Sequence, residues 1–157
     1  MGTDKKYIID TSAILSGKIN ISQPDYIYAD SVIEEIKNGS LEKILDSANI
    51  DIRHPDRKYV DMASEAAMKT GDYSVLSKTD IDVLALGIEY DGIIITDDYA
   101  IQNVAMYCGV EYAGSGIDPI KKNIVWKYRC TGCYRIYNKY IEICPVCGHT
   151  VKRYSRK

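Results

Sequence analysis

The sequence predicts an α/β fold, with a parallel sheet flanked by helices and a small β module at the C-terminal end. Two observations lead to this prediction. Between residues 6 and 113, short apolar runs alternate with segments of helical periodicity, which is the pattern of βαβ units. After residue 118 the composition turns basic, and a β-like pattern contains two closely spaced pairs of cysteines.

Five apolar runs predict strands, and six segments predict helices. The strands are expected at residues 6–10, 25–29, 49–54, 92–96 and 110–113. The helices are expected from Thr11 and at residues 30–39, 40–48, 56–72, 79–90 and 98–109. Asp30 or Ser31 is expected to cap the second helix, which Asn38-Gly39 ends. The alternation predicts a parallel sheet covered on both faces, with any ligand outside the carboxyl ends of its strands.

The chain is expected to divide at a linker. Residues 114–124 contain two glycines and a proline, and they separate a domain at 1–113 from a module at 125–157. Residues 1–118 carry 10 Lys/Arg and 21 Asp/Glu, whereas residues 119–157 carry 10 Lys/Arg and one acid. Such a basic module favours phosphate-bearing partners, although a solvated basic tail would have the same composition.

The composition is that of a soluble globular protein. Hydrophobic residues make up 46% of the chain, and no apolar run approaches the ~20 residues that a bilayer requires. The N-terminal residues lack the hydrophobic region of a secretion signal. We therefore expect a cytoplasmic location and no membrane partner, while the oligomeric state is left open.

Four cysteines in the basic module have the spacing of a zinc site. Cys130 and Cys133 form one C-x-x-C turn, and Cys144 and Cys147 form a second one ten residues later. Two such turns present four thiolates to one tetrahedral zinc ion. The module has fewer than 40 residues, too few to be stable by apolar burial alone. Disulfides are the alternative, and a cytoplasmic location argues against them.

Acidic residues follow two of the predicted strands. Asp10 ends the first strand, and Asp97 and Asp98 follow the fourth. Because carboxyl ends of parallel strands share one edge of the sheet, these side chains are expected to approach each other. Capping of the helix that begins at Thr11 is the structural alternative for Asp10.

Two further acids lie on helices that could lean over the same edge. A count of 100° per residue places Glu35 at the border of the apolar face of its helix, and Glu34 toward solvent. In the fifth helix, the same count places Asp80 beside the apolar face. Asp82 falls on the outer face, where it also fits a capping pattern.

Carboxylates are the expected basis of any chemistry, because the chain has only two histidines. Carboxylates held close together repel one another, so a fold that gathers them is expected to bind a divalent cation. Hard oxygen ligands without histidine favour Mg²⁺ or Mn²⁺ over zinc. Such ions activate water for phosphoryl displacement, which agrees with a basic module attracted to a polyphosphate backbone.

Several motifs resemble those of a known family. The segments "YIIDTSAIL", "VIEEIKN", "LSKTDIDVLALG" and "ITDDYAIQNVA", in this order, resemble the PIN domain, a metal-dependent ribonuclease fold. With "YRCTGCYRIY" and "EICPVCGHT", essentially the whole chain is similar to the archaeal PIN-domain endonucleases that mature the 3′ end of small-subunit ribosomal RNA. The resemblance implies four or five parallel strands in a PIN-like nuclease domain at 1–113, and a zinc ribbon with a basic tail at 125–157.

The resemblance also implies the residues of the site. Its four acids fall on Asp10, Glu35, Asp80 and Asp98, as ligands of catalytic Mg²⁺ or Mn²⁺. The adjacent Asp97 leaves the fourth position open: we expect Asp98 to face the metal and Asp97 to cap the next helix or assist as an outer acid. Thr11 or Ser12 is expected to support Asp10 by hydrogen bonding.

The expected partner is RNA, namely small-subunit ribosomal precursor RNA and pre-ribosomal particles. Basic side chains of the ribbon are expected to bind phosphate, and two tyrosines to stack on unpaired bases: Lys127, Arg129, Arg135, Lys139, Lys152, Arg153, Tyr134 and Tyr137. Two alternatives are a toxin-type PIN ribonuclease acting on other RNA, and a PIN scaffold that binds RNA without cutting it. The fused ribbon argues against the first because such toxins are usually the bare domain, and the complete acid set argues against the second.

Overall fold

The computed structural model describes residues 4–39, 42–46 and 49–155. The two ends of the helix predicted at residues 40–48, and the last two residues of the basic tail, lie outside these ranges. In the part of the chain that is described, no helix is both long and apolar enough to cross a membrane.

A five-stranded parallel sheet forms the first part of the chain, which confirms the predicted fold class. Its strands are β1 (Tyr7–Ile9), β2 (Tyr26–Ala29), β3 (Asp51–Arg53), β4 (Ile93–Ile95) and β5 (Glu111–Ala113), and they lie in the order β3-β2-β1-β4-β5. All four strand pairings are parallel. Central strand β1 places Ile8 beside Ile27 of β2 and Ile94 of β4, and all three side chains are buried.

Within the described residues, six α-helices accompany this sheet: α1 (Thr11–Leu15), α2 (Asp30–Lys37), α3 (Glu42–Leu45), α4 (Arg57–Thr70), α5 (Lys78–Glu89) and α6 (Tyr99–Tyr107). A short 3-10 helix at Tyr73–Val75 lies between α4 and α5. Helix α4, expected over residues 56–72, ends at Thr70, and its C-cap Gly71 has a φ of 81°, which suits glycine. The expected capping of α2 by Asp30 or Ser31 is wrong, because the helix already begins at Asp30 and Ala29 is its N-cap. Strand β2 therefore runs directly into α2.

The core lies on both sides of the sheet, as expected when helices cover each face. Helix α5 packs against α4, α6 and strands β1, β2 and β4. Seven consecutive residues of α5, from Ile81 to Gly87, are consequently buried. A side chain at Gly87 would place its Cβ 2.6 Å from Ile94 Cδ1, so this close approach of helix and strand requires glycine.

The cysteine module is a small antiparallel sheet with its own core. Strands β6 (Lys127–Cys130), β7 (Ile136–Tyr137) and β8 (Val151–Tyr154) lie in the order β7-β6-β8. Tyr128, Cys130, Cys144 and Val151 are buried together. We call the side of the module that carries these residues its inner face. Because side chains alternate along a strand, the intervening residues lie on the opposite face.

The predicted linker is attached along helix α6. The backbone N–H of Ile120 donates to Gln102 Oε1 at 2.9 Å, and that of Ile124 donates to Asn103 Oδ1 at 2.7 Å. The Tyr112 hydroxyl donates to the Ile120 carbonyl at 2.8 Å. Residues 114–124 therefore connect the two sheets as a packed segment.

Candidate active site and zinc centre

The topology of the sheet creates a crevice at the carboxyl ends of β1 and β4. From β1 the chain goes to β2 and β3 on one side, whereas β4 and β5 lie on the other side. Such a switch point is where open α/β sheets bind their ligands, since the helices that follow the two strands diverge. Asp10 follows β1 directly, and Thr96, Asp97 and Asp98 follow β4.

Asp10 lies at the centre of this crevice. Its side chain is only 3% exposed. Asp10 Oδ2 accepts hydrogen bonds from Ser12 Oγ at 2.7 Å and from Thr96 Oγ1 at 2.8 Å. Burial raises the pKa of the Asp10 carboxyl, and the charge of Asp98 raises it further. The hydrogen bonds from the two hydroxyls lower this pKa but do not cancel the effect of burial. The carboxylate makes no side-chain cap hydrogen bond to α1, so capping does not explain its position.

Asp80 approaches the same crevice from the first turn of α5. Asp80 Oδ2 accepts from the Ser77 backbone N–H at 2.6 Å, while Ser77 Oγ accepts from the Asp80 N–H at 3.1 Å. This reciprocal pair is a capping box. Burial raises the pKa of the Asp80 carboxyl, and the charges of Asp10 and Asp98 add to the effect. The structure thus brings these three acids within electrostatic reach of one another.

Asp98 and Glu35 are each held by a neighbouring group. Asp98 is the N-cap of α6, with Oδ1 accepting from the Ala100 N–H at 2.8 Å. Glu35 Oε2 accepts from Thr11 Oγ1 at 2.9 Å, which places this acid of α2 beside the residue that follows Asp10. Thr11 and Ser12 therefore have different partners: Ser12 donates to Asp10, and Thr11 donates to Glu35.

Of the two roles expected for Asp97, capping of the next helix is wrong. Its carboxylate does not cap α6, because Asp98 has that position. Instead, Asp97 Oδ1 accepts from the backbone N–H of Ser115 at 2.7 Å and of Gly116 at 3.1 Å, and Oδ2 accepts from Ser115 Oγ. These bonds lower the pKa of the Asp97 carboxyl despite partial burial. Asp97 therefore holds the start of the linker.

The prediction for Asp82 is also wrong. Its side chain is 2% exposed, and Oδ2 accepts from Ser31 Oγ at 2.7 Å and from Lys78 Nζ at 2.8 Å. Helix α5 has no solvent-facing outer side at this point, because α2 packs against it. Asp82 ties these two helices together, and the capping pattern belongs to Ser77 and Asp80.

The donor set of the crevice suits a hard divalent cation. The four acids offer oxygen atoms only, and the mutual repulsion seen at Asp10 and Asp80 would be relieved by a positive charge. Across residues 4–39, 42–46 and 49–155, the four cysteines alone bring three or more ligand atoms within 4.8 Å of one another. A magnesium or manganese ion in the crevice would accordingly be held partly through water, as is usual for Mg²⁺.

The four cysteines converge as the zinc prediction requires. Cys130 Sγ lies 3.3 Å from Cys147 Sγ, and Cys133 Sγ lies 3.6 Å from Cys144 Sγ. All are free thiols, and these separations exceed the ~2.05 Å of a disulfide. The hydrogen bond of Tyr137 Oη, 3.0 Å from Cys144 Sγ, and backbone bonds of Cys147 and Val146 lower the pKa of the Cys144 thiol to about 6. Burial and the neighbouring thiols raise the pKa of Cys133 to about 11. A metal binds all four as thiolates, so zinc binding should release protons.

Strand pairing divides the expected RNA-binding residues between two faces of the ribbon. Lys127 pairs with Tyr154 and Arg129 pairs with Lys152, so these four side chains share one face. The Arg129 guanidinium lies over the rings of Tyr134 and Tyr154, at 4.7 and 5.3 Å from their centroids. Tyr154 was not predicted from the sequence. Its place two residues after Lys152 in the same strand could have indicated it, because alternate side chains share a face. We call Lys127, Arg129, Lys152, Tyr134 and Tyr154 the basic face.

Other members of the expected set lie elsewhere. Arg153 is paired with Tyr128 on the inner face, and its Nη1 donates to the buried Asp72. Its side chain is 31% exposed, and phosphate binding by Arg153 stays a prediction. The hydroxyl of Tyr137 is engaged at Cys144. Lys139 lines a groove beside α4, and Arg135 is exposed on the cysteine turn.

Comparisons with known proteins identify the family of this chain. A family model described as PIN domain of ribonuclease matches residues 7–90. Ribonuclease VapC1 of Thermoplasma acidophilum is 46% identical over 153 residues, which cover 96% of this chain and 79% of that protein. Endoribonuclease Nob1 is 37% identical in Methanocaldococcus jannaschii (97% of this chain, 79% of that protein) and 32% identical in Pyrococcus abyssi (97% and 95%). The crevice acids, the parallel sheet and these relatives together place the chain in the PIN-domain family of endoribonucleases.

Proposed function

We propose that this endoribonuclease is Mg²⁺- or Mn²⁺-dependent and cleaves single-stranded precursor RNA at the 3′ end of small-subunit ribosomal RNA. One observation carries the catalytic part of the proposal. Asp10, Asp80 and Asp98 lie within electrostatic reach of one another around the carboxyl ends of β1 and β4, and Glu35 is hydrogen-bonded to Thr11, the residue after Asp10.

The chain's own residues prepare this site for a phosphodiester. A bound divalent ion would supply an activated water and neutralise charge on the phosphoryl oxygens. Ser12 and Thr96 fix the orientation of Asp10 through its Oδ2 atom. Thr11 fixes Glu35, and the first turn of α6 fixes Asp98. With the water attacking in line, the products would carry a 5′ phosphate and a 3′ hydroxyl.

The basic face provides a surface for the RNA strand. Lys127, Arg129 and Lys152 offer three cations for phosphate, and Tyr134 is exposed beside Arg129 for stacking on a base. Single-stranded RNA is bound in this way by cations along its backbone and aromatic rings against its bases. This surface supports RNA as the substrate, without specifying a sequence.

The ribosomal substrate is the finer part of the proposal. It rests on the resemblance to archaeal endonucleases that mature ribosomal RNA, and relatives named endoribonuclease Nob1 that span nearly the whole chain support it. A toxin-type ribonuclease is the second candidate, favoured by the 46% identity to ribonuclease VapC1. That relative also aligns with 96% of this chain, so the cysteine module alone does not separate the two candidates.

A cleavage assay with matched variants tests the proposal. Asp10→Asn should abolish cleavage while RNA binding survives, because the amide keeps the shape and removes a charged ligand. Glu34→Gln is the control, since Glu34 is an exposed acid on the same helix as Glu35. Asp82→Asn is unsuitable as a control, because it would disturb the buried contact with Ser31.

The substrates should be precursor RNA in pre-ribosomal particles and an unrelated single strand. We expect wild-type protein to cut the precursor at one position, and Glu34→Gln protein to do the same. Equal cleavage by Asp10→Asn protein, freed of contaminating nuclease, would contradict the catalytic assignment. Indiscriminate cutting of both RNAs by wild type would favour the toxin-type candidate.

A further inference from the structure

The inner face of the ribbon is docked against the nuclease domain. Tyr128 and Arg153 are direct partners in the β6–β8 ladder, so both side chains leave the same face of the sheet. The Tyr128 hydroxyl donates to the Gly71 carbonyl and lies 3.2 Å from Ser74 Oγ. The two domains are therefore in polar contact at the C-terminal end of α4.

Asp72 is the centre of this contact. Its side chain is 0% exposed. Asp72 Oδ1 accepts from Arg153 Nη1 at 2.9 Å, and Oδ2 accepts from Asn103 Nδ2 at 2.7 Å. The Arg153 guanidinium also lies 4.2 Å from the ring centroid of Trp126. A buried carboxylate is costly unless its partners are in place, so this cluster favours one arrangement of the two domains.

The end of the linker is fastened to the same cluster. Asn103 accepts from the Ile124 N–H at 2.7 Å and donates to the Ile124 carbonyl at 2.6 Å. The Trp126 N–H donates to the Thr70 carbonyl at 2.7 Å. A Cβ on Gly71 would lie 2.6 Å from the Trp126 carbonyl oxygen, so the backbones are in close approach there.

The anchors of the cluster belong to the elements that carry the crevice acids. Asp72 lies in the turn between α4 and α5, a short distance before Asp80. Asn103 lies in α6, the helix that Asp98 caps. A movement of the ribbon would consequently have to break contacts made by these elements. The opposite side of the ribbon, with its basic face, stays open to solvent.

We propose that Asp72 and Arg153 are positioning residues that hold the basic face at a fixed place relative to the crevice acids. RNA bound on the basic face is then cut at a constant number of nucleotides from that contact. This selection of the cleavage position rests on the proposed function, because it requires the acids to cut and the basic face to bind. The docking itself does not depend on RNA.

Residual dipolar couplings of the full-length, zinc-loaded protein test the docking without RNA. In the wild type, residues 4–113 and 127–155 should fit one alignment tensor. Arg153→Met should give two tensors of different magnitude, since the ion pair between Arg153 and the buried Asp72 is lost. Lys152→Met is the matched control, which removes a neighbouring cation on the other face and should keep one tensor. Two tensors in the wild type, or one tensor in Arg153→Met protein, would overturn the proposal.

Mapping of product ends on a long RNA tests the consequence for cleavage. Arg153→Met should spread the cleavage over several neighbouring positions, and Arg153→Lys should restore part of the uniformity because it keeps the charge. Lys152→Met should raise KM and leave the cleavage position unchanged. A single cleavage position in both Arg153 variants would refute the positioning role. If wild type cuts no RNA, the proposed function fails, while the dipolar couplings still decide the docking.

Discussion

Replacing Asp10 by asparagine should stabilise the protein when Mg²⁺ and Mn²⁺ are absent. The wild-type carboxylate is 3% exposed, and burial together with the charge of Asp98 raises its pKa. The amide of Asn removes the charge, and its oxygen can still accept hydrogen bonds from Ser12 and Thr96. Single substitutions that remove an unfavourable group of this kind commonly stabilise a protein by about 0.5–2 kcal/mol. For a chain of this length, each kcal/mol raises Tm by roughly 2–4 °C.

The effect should depend on pH with a definite sign. The pKa of Asp10 is higher in the folded chain than the ordinary value of 3.8, so ionisation of this group opposes folding. That penalty is absent when the carboxyl is protonated in both states, and it grows as the pH rises from 3.8 through the raised pKa. The advantage of Asp10→Asn should therefore be present at neutral pH and vanish in acid.

Calorimetric melting in zinc-containing buffer, with and without Mn²⁺, measures both effects. Manganese should raise the Tm of the wild type and of Glu34→Gln protein, but have little effect on Asp10→Asn protein. The reasoning is refuted if Asp10→Asn lowers Tm in manganese-free buffer at neutral pH. It is also refuted if manganese stabilises this variant as much as the wild type.

Two further predictions concern the ribbon. Removal of zinc by a chelator should unfold residues from about 125 onward and expose the Trp126 N–H, which donates to the Thr70 carbonyl, to hydrogen exchange, while the parallel sheet stays folded. Zinc binding should contribute about 10 kcal/mol or more to the stability of the ribbon. Protein without zinc on metal analysis, or with a disulfide among the four cysteines, would contradict this. Separately, replacing Lys127, Arg129 or Lys152 by Met should each flatten the salt dependence of RNA affinity by about 0.7 in the log–log slope. Lys58→Met, on helix α4, should leave the slope unchanged, and equal slopes for all four variants would show that the basic face does not bind the RNA backbone.

Strand ends were the most informative signal in the sequence. The apolar runs before Asp10 and Asp98 placed both acids at one edge of a parallel sheet, and the structure brings them together at the switch point. The position of Glu35 followed from the angular count along α2, whose apolar face is continuous. These predictions depend on local periodicity, which the fold preserves.

Predictions failed where distant segments decide the environment. The angular count gave Asp82 a solvent-facing side, but α5 is buried nearly all round because α2 and α4 pack on it. The pairing of Asp72 with Arg153 joins residues 81 positions apart, and no local pattern indicates it. Strand alternation also places Arg153 on the face opposite Lys152, which a count of basic residues does not reveal.

Anomalous scattering from crystals soaked in Mn²⁺ locates a metal ion in the crevice independently of activity. We expect a manganese peak in the crevice at the carboxyl ends of β1 and β4, bound by Asp10, Glu35, Asp80 and Asp98 directly or through water. Crystals of Asp10→Asn protein should lack the peak or show it strongly reduced. A manganese ion bound elsewhere, with the four acids unliganded at saturating Mn²⁺, would contradict the assignment of the catalytic site.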